Sequence, residues 1–312
     1  MTIRPGIKNA LWMVPAVAVL LLLTLVGLHF YQGRGADEQL ALKASRVDLV
    51  TRMQADLASA SEAEKSAVLA ITDEESAAFA SQARAAAAAV ERERVELGEL
   101  LQVGGTQAER DLLTRFSAGF VDFRRVDGDL LDLAVKNTNV KAYGLAFGPA
   151  ADAVTEMSAA LDHLVAASAD SPQARQVLLL ADDAQIAALR IEALLPPHIA
   201  EESEAKEDAL EASMAKEDER VKKDLDGLAA LPQLGGSVDI ATAAAQYARF
   251  SELRVQIVAL SRENTNVHSL AISLGAKRKV MFACQDALGA LRQAILEEPI
   301  AGVTYGRPAR PR

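Results

Sequence analysis

The chain has 312 residues, of which 50% are hydrophobic and only 4% are aromatic, and it carries a formal net charge of −10. Abundant Ala, Leu, Glu, Lys and Arg favour helices, because these side chains lose little rotamer freedom on a helix, so we predict an all-α fold with almost no sheet. The negative charge argues against nucleic acid as a partner, since phosphates require a basic surface, and the single cysteine, Cys284, excludes an intrachain disulfide.

The first predicted element is a transmembrane helix at residues 10–31. Residues 10–30 read ALWMVPAVAVLLLLTLVGLHF, which matches the ~20 apolar residues needed to cross a hydrocarbon core. Arg4 and Lys8 precede this run, so the positive-inside rule places residues 1–9 in the cytoplasm. We therefore expect a single-pass protein of a bacterial inner membrane with its bulk in the periplasm. The rival interpretation is a cleaved secretory signal, but the run is longer than the ~7–15 residues of a usual signal core.

Residues 36–170 are predicted to form a first four-helix bundle. Thr72 is a candidate N-cap of the second helix, Glu75 completes the spacing of a capping box, and Thr106 is a candidate cap of the third helix. The third helix has an apolar stripe at steps of three, four and seven, the spacing of one buried face. The stripe consists of Leu112, Leu113, Phe116, Phe120, Phe123, Leu130, Leu131 and Ala134.

Residues 171–299 are predicted to form a second four-helix bundle, followed by a disordered tail at 300–312. The first helix of this bundle is predicted to end at Pro196-Pro197, because proline does not continue a helix backbone. Cys284 falls in an amphipathic run near the end of the bundle, where a small buried thiol is expected.

The two predicted bundles are related by an internal duplication. Shifting the sequence on itself by 127 residues superimposes NTNV at 137–140 on NTNV at 264–267, and it also superimposes Phe123 on Phe250. The spacing indicates four helices in each copy. Stacked and interleaved arrangements of the two copies both remain open.

In each copy the NTNV motif lies where the apolar stripe of the third helix ends and the fourth helix begins. Asn tolerates a left-handed backbone at a helix end, and Thr or Asn accepts hydrogen bonds from the free N–H groups at a helix start. Capping is therefore the first interpretation of the motif. A polar layer inside the bundle or a ligand contact is the alternative, because two amides and a hydroxyl exceed what one cap requires.

An apolar anchor followed by an acidic, Ala-rich helical unit with a polar turn resembles the periplasmic four-helix-bundle sensor module of methyl-accepting chemotaxis receptors. The segments that carry the resemblance are AITDEESAAFASQARAAAAAVERERVELGELL at 70–101 and LLDLAVKNTNVKAYGLAFGPAADAVTEMSAALDHLV at 130–165. The resemblance implies a homodimer through the bundle helices, a small organic acid or amino acid as ligand, and a membrane signalling partner. The second membrane helix and cytoplasmic signalling region of that family have no match before Arg312, so we expect signal input without an output domain.

Candidate ligand-binding residues are the polar residues of the two motifs and two arginines, because Arg suits bidentate recognition of a carboxylate. They are Asn137, Thr138, Asn139, Asn264, Thr265, Asn266, Arg124 and Arg254. The sequence contains no HExxH, GxSxG, CxxCH or P-loop motif, so we expect no enzymatic activity, no cofactor and no metal. The alternative function is a structural or scaffolding bundle that holds a partner near the membrane.

Overall fold

The computed structural model describes the backbone of residues 7–232, 234 and 236–300, with side chains from Asp37 onwards within these ranges. These residues are almost entirely helical and include no strand, so the all-α prediction is confirmed. The predicted membrane span at 10–31 and the predicted cytoplasmic segment at 1–9 lie outside the residues whose side chains are described, and the predicted tail lies outside them beyond Ile300. Among the residues whose side chains are described, which exclude the apolar run at 10–31, no helix is both long and apolar enough to cross a membrane.

The helices follow one another with short connections. In chain order they are α1 (Ile7–Leu69), α2 (Asp73–Gly104), α3 (Gln107–Ala134), α4 (Thr138–Leu145), α5 (Ala151–Ala167), α6 (Ala174–Ala200), α7 (Glu204–Ala229), α8 (Val238–Glu263), α9 (Thr265–Ile272) and α10 (Arg278–Glu297). One π-helical turn, Ala146–Ala150, joins α4 to α5, and another, Ser273–Lys277, joins α9 to α10.

The local backbone repeats at the interval read from the sequence. The first residues of α4 and α9, Thr138 and Thr265, are 127 positions apart, and the two π-helical turns keep the same interval. Each of these short helices follows an asparagine with a left-handed backbone, Asn137 with a φ of 52° and Asn264 with a φ of 49°. The predicted left-handed asparagine is therefore confirmed in both copies.

The two predicted threonine caps are confirmed. At the start of α2 the Thr72 hydroxyl accepts a hydrogen bond from the backbone N–H of Glu75 at 3.2 Å. At the start of α3 the Thr106 hydroxyl accepts from the Glu109 N–H at 3.2 Å, and the Glu109 carboxylate accepts from the Thr106 N–H at 2.9 Å. The second pair is a complete capping box, in which two free donors of the helix start are satisfied reciprocally.

The predicted end of a helix at Pro196-Pro197 is wrong, because α6 continues through both prolines to Ala200. Proline removes a backbone donor, but the last turn is held by side chains instead. Leu195, His198 and Ile199 on this turn are all buried. Their burial stabilises a helix end that local propensity alone disfavours.

Unit 1 comprises Met1–Ser61, Arg84–Arg124 and Lys279–Arg312. Its core is formed by side chains of α1, α2, α3 and α10. The rings of Phe116, Phe120 and Phe123 stack along α3 with centroids 5.4 and 5.6 Å apart. The predicted burial of the Cys284 thiol is confirmed within this core.

In unit 1, Lys43 of α1 donates hydrogen bonds to backbone carbonyls at the C-terminal end of α10. The Lys43 ammonium donates to the backbone carbonyls of Leu296 at 2.8 Å and Glu298 at 2.6 Å. Carbonyls at a helix C-terminus have no partner within the helix and interact favourably with a cation. Lys43 therefore stabilises the packing of the end of α10 against α1.

Unit 2 comprises Glu62–Ala83 and Arg125–Arg278. Its larger core is formed by α4, the first π-helical turn, and α5 to α8. A smaller core is formed by the end of α1, the start of α2 and the end of α3.

The compact units are composed differently from the contiguous ranges predicted from the sequence, 36–170 and 171–299. Unit 1 takes α10 from the second range, while the larger core of unit 2 takes α4 and α5 from the first. The two copies thus exchange their fourth helices. Because the apolar stripes of both copies have the same spacing, either fourth helix matches either core, and the pattern alone does not select one.

Candidate functional site

The six polar residues of the two NTNV motifs, which we call the motif cluster, come together in unit 2. Asn137, Thr138 and Asn139 lie at the start of α4, and Asn264, Thr265 and Asn266 lie at the start of α9. All except Asn266 are buried.

The two predicted arginines lie apart from the motif cluster. Arg254 is ten residues before Asn264 on α8, a separation of about 15 Å along the helix axis. Arg124 belongs to unit 1, where its side chain is exposed. The predicted ligand-binding residues therefore do not form a single site.

The two threonines of the motif cluster cap each other's helices. The backbone N–H of Thr138 donates to the Thr265 hydroxyl at 3.2 Å, and the N–H of Thr265 donates to the Thr138 hydroxyl at 3.1 Å. The two hydroxyl oxygens are 3.2 Å apart. Each copy thus supplies the cap of the other copy's short helix, whereas capping within one copy was the sequence-based interpretation.

The asparagines of the motif cluster repeat this reciprocal pattern. The backbone N–H of Asn139 donates to Asn266 Oδ1, and that of Asn266 donates to Asn139 Oδ1, both at 3.1 Å. Asn139 Nδ2 donates to Asn264 Oδ1 at 2.7 Å, and Asn266 Nδ2 donates to Asn137 Oδ1 at 3.1 Å. These polar groups are used within the protein, so the motif cluster has the geometry of a joint between copies.

Ser261, His198 and Glu211 form a chain of hydrogen bonds with the composition of a catalytic triad. His198 Nδ1 lies 2.8 Å from the Ser261 hydroxyl, and Nε2 lies 2.9 Å from Glu211 Oε1. Ser261 and His198 are buried, and the Ser261 hydroxyl also donates to the His198 carbonyl at 3.0 Å. A nucleophile must reach its substrate, so this network instead holds the end of α6 against α7 and α8. Sequence analysis missed it because the three residues lie on three helices without a local motif.

A cavity of about 230 Å³ lies between α7 and α8 in unit 2. Its lining consists of four small or apolar side chains and two charged ones. These residues are Met214, Ala215, Val255, Val258, Glu211 and Arg254. Of the predicted ligand-binding residues, Arg254 alone lines this cavity, which we call the α7–α8 cavity.

The guanidinium of Arg254 is incompletely paired. Its Nη2 lies 3.1 Å from Asp218 Oδ1, while its buried Nη1 has no hydrogen-bond partner. A buried donor without a partner is unfavourable by about 1–3 kcal/mol. An anionic ligand that accepts a hydrogen bond from Arg254 would therefore stabilise it more than it would stabilise a fully paired arginine.

The carboxylate beside Arg254 is shared by several groups. Asp218 accepts a hydrogen bond from the Tyr247 hydroxyl at 2.5 Å and pairs with Lys222 at 2.8 Å. Burial raises the pKa of Asp218, but hydrogen bonds from Lys222 and Tyr247 and the charge of Arg254 bring it below its ordinary value. Asp218 stays ionised at neutral pH, and its single carboxylate is shared between Arg254 and Lys222.

A second charged cluster, formed by Glu64, Asp127 and Lys277, is buried elsewhere in unit 2. These side chains belong to α1, α3 and the second π-helical turn, and their residues are 0%, 3% and 1% exposed. The Lys277 ammonium donates to Asp127. Neither carboxylate oxygen of Glu64 makes a hydrogen bond, although the Ser273 hydroxyl lies nearby. Two carboxylates thus face one ammonium in the protein interior.

Replacing Glu64 by Gln is expected to flatten the pH dependence of stability. Burial raises the pKa of Glu64 above 4.5, and the nearby Ser273 and Lys277 only partly oppose this effect. The stabilisation linked to a raised carboxyl pKa is fully present below the unfolded-state pKa and is lost as the pH rises through the folded-state pKa. Wild type should therefore lose stability as the pH rises from 4.5, while Glu64→Gln should lose less.

Urea denaturation at a series of pH values measures this difference. Glu62→Gln is the matched control, because Glu62 lies two residues earlier on the same helix and its side chain is exposed. A Glu64→Gln variant that keeps the full wild-type pH dependence would show that Glu64 is not the group responsible.

No protein-family model matches the chain, and no curated protein matches its sequence. The described residues form an all-α protein whose helices belong to two compact units. Its function has to be inferred from the chemistry of its own residues.

Proposed function

We propose that the chain is a membrane-anchored sensory module of chemoreceptor type, with the bulk of the protein in the periplasm. The apolar run at residues 10–31 and the all-helical fold support this proposal. The module works as a homodimer and transmits ligand binding to a membrane partner through small helix displacements, which are a common response of packed helices. It performs no chemistry on its ligand.

The observation that carries the proposal is the incompletely paired Arg254 at the α7–α8 cavity. An arginine beside a mostly apolar wall is suited to a small carboxylate, because the guanidinium holds the charged group while the wall contacts the carbon chain. Binding would connect α7 to α8, since Arg254 belongs to α8 and Met214 to α7. A ligand at this position therefore acts directly on the packing of two helices.

Another cavity in unit 2 is a weaker candidate. This groove of about 330 Å³ lies beside the motif cluster, and its lining includes Leu69, Ile71, Tyr143 and Leu270. None of its lining residues is charged. An ionised organic acid would therefore lose its hydration there without gaining a counter-charge.

A small organic acid is expected to raise the melting temperature of the full chain in detergent, and replacing Arg254 by Gln should abolish that increase. A ligand that binds only the folded state stabilises it by about 2.7 kcal/mol at a concentration of 100 times its Kd. The measurement is thermal unfolding followed by circular dichroism across a panel of organic acids and amino acids.

Arg249→Gln is the matched control, because Arg249 is an exposed arginine on the same helix. An increase in melting temperature that persists in Arg254→Gln would place the ligand elsewhere. An unchanged melting temperature across the whole panel, together with recovery of a stable partner protein, would support the scaffolding alternative instead.

A further inference from the structure

A lysine amine and a carboxylate are in direct contact inside unit 2. The Lys277 ammonium donates to the Asp127 carboxylate, and both residues are buried. An amine and a carboxylic acid are the two reactants that form an amide. Groups held in contact by a fold react as if at an effective concentration on the order of 10⁵ M or more. The fold therefore makes condensation of these two side chains an intramolecular step.

The surroundings of this pair favour an uncharged product. Ala67 lies one turn beyond Glu64 on α1, Leu130 lies one turn beyond Asp127 on α3, and both are buried in the smaller core of unit 2. An apolar interior solvates ions poorly, so a buried ion pair has to offset the lost hydration of both partners. Condensation replaces two ions by one neutral amide and releases a water molecule. The burial that disfavours the ion pair therefore favours the amide.

Glu64 is a third titratable group in the same interior. Neither of its carboxyl oxygens has a hydrogen-bond partner among the described residues. Burial raises its pKa, and the charges of Lys277 and Asp127 both act on it. A buried carboxyl group that retains its proton can give that proton to a leaving group and accept another in return. Glu64 thus supplies the acid that amide formation requires.

The charged cluster is absent from the equivalent positions of the duplication. By the interval of 127 residues that relates the NTNV motifs, Glu64 corresponds to Ile191 and Lys277 corresponds to Ala150. Both of these apolar residues are fully buried. Apolar side chains therefore fill the same places elsewhere in unit 2, so the architecture does not itself require the charges. A chemical role explains them better than packing does.

We infer that Lys277 and Asp127 of one chain condense to an isopeptide bond, with Glu64 as the proton carrier. The Lys277 ammonium transfers one proton to the Asp127 carboxylate, which leaves an amine and a carboxylic acid. The Nζ atom then bonds to the Cγ atom of Asp127. Glu64 gives its proton to the departing hydroxyl group and receives one from Nζ, the C–O bond breaks, and one water molecule leaves. The reaction needs no oxidant, cofactor or further reactant.

The bond joins α3 of the first copy to the second π-helical turn of the second copy, across 150 residues of chain. A covalent link of this kind stabilises a fold because it restricts the unfolded chain. In a chain that has not condensed, Asp127 and Lys277 remain the buried ion pair. The inference does not depend on the proposed function.

Intact-mass spectrometry of the full chain, purified in detergent and then denatured, tests the inference. Wild type should be lighter than its sequence requires by the mass of one water molecule. Lys277→Arg keeps the positive charge but cannot lose its proton to become a nucleophile, so this variant should have its full mass. Lys279→Arg is the matched control, because Lys279 is exposed, and it should lose water as wild type does.

Tryptic peptides locate the bond. Trypsin does not cleave after a lysine whose amine is acylated, so the condensed chain should yield a branched peptide that joins residues 126–136 to residues 263–278. Folded Glu64→Gln should condense at least about 100-fold more slowly than wild type, since a general acid contributes at least about that factor. Glu62→Gln, at an exposed position, should condense as wild type does.

The wild-type mass and the branched peptide decide the outcome, so a variant that folds poorly does not obscure it. A folded wild-type chain of full mass would overturn the inference. Loss of water without the branched peptide, or loss that persists in Lys277→Arg, would also overturn it, because the Asp127-Gly128 step can lose water by forming a succinimide. Condensation of folded Glu64→Gln at the wild-type rate would overturn the role of Glu64. None of these results bears on ligand binding at the α7–α8 cavity.

Discussion

Replacing Lys277 by Met is expected to lower the free energy of unfolding by about 3–5 kcal/mol, the range typical for removal of one partner of a buried ion pair. Lys277 is 1% exposed and its ammonium donates to Asp127, while Glu64 is a second buried carboxylate beside them. Without the ammonium, two carboxylates remain in the interior with no counter-charge. Equilibrium urea denaturation, followed by the helical circular dichroism signal, measures the loss.

Two further variants test whether charge is the cause. Lys279→Met is the matched control, because Lys279 is exposed two residues further along the chain, and it should leave stability nearly unchanged. Adding Asp127→Asn and Glu64→Gln to Lys277→Met should recover most of the lost stability, since a neutral cluster no longer needs the ammonium. A loss of about 1 kcal/mol or less for Lys277→Met, as found for exposed pairs, would contradict the burial of this cluster.

The sequence predicted those features of the fold that depend on neighbouring residues. The apolar stripe of α3 is buried as expected at Phe116, Phe120 and Phe123, because its spacing matches the helical period. The threonine caps at Thr72 and Thr106 were also predictable, because a cap needs only the residue three positions later.

The exchange of fourth helices was not predictable, because it depends on which of two similar cores each helix joins. The left-handed Asn137 and Asn264 could be inferred from residue type, but their reciprocal contacts link residues more than a hundred positions apart. The helix end predicted at Pro196 and Pro197 was wrong because local sequence does not show tertiary contacts. The burial of His198 and Ile199, which holds the last turn of α6, is a tertiary property.

The candidate site was predicted only in part. Arg254 was named from its residue type and its position on the third helix of the second copy. Its pairing with Asp218, the opposed charge of Glu211 and the cavity between them depend on the side-by-side packing of α7 and α8. The acidic run of α7 has the pattern of an ordinary solvated face, and local sequence does not show which of its carboxylates a neighbouring helix covers.

The two copies keep the same backbone but carry different chemistry. Ser273 and Lys277 of the second π-helical turn correspond to Ala146 and Ala150 of the first, at the interval of 127 residues that relates the NTNV motifs. By the same shift, Asp127 of the buried charged cluster corresponds to Arg254 at the cavity. One of the two equivalent positions thus belongs to a buried ionic cluster, and the other holds an incompletely paired arginine. This difference favours ligand binding at one of the two equivalent positions.

Replacing Asn139 by Ala is expected to lower the free energy of unfolding by about 2–4 kcal/mol, because several buried partners each lose a hydrogen bond. The Asn139 side chain accepts from the backbone of Asn266 and donates to the Ile199 carbonyl and to Asn264 Oδ1. Asn266→Ala should have a similar but smaller effect, because Asn266 is less buried. Urea denaturation of the single and double variants measures both losses.

The double variant distinguishes a joint from a ligand contact. Because Asn139 and Asn266 bond each other directly, their losses should not add, and the double variant should lose less than the sum of the single variants. Gln256→Ala, an exposed amide on α8, is the control for removal of an amide as such. If instead Asn139→Ala unfolds like wild type but no longer responds to a ligand that stabilises wild type, the motif cluster is a binding site. Strict additivity of the two losses would likewise contradict the reciprocal joint.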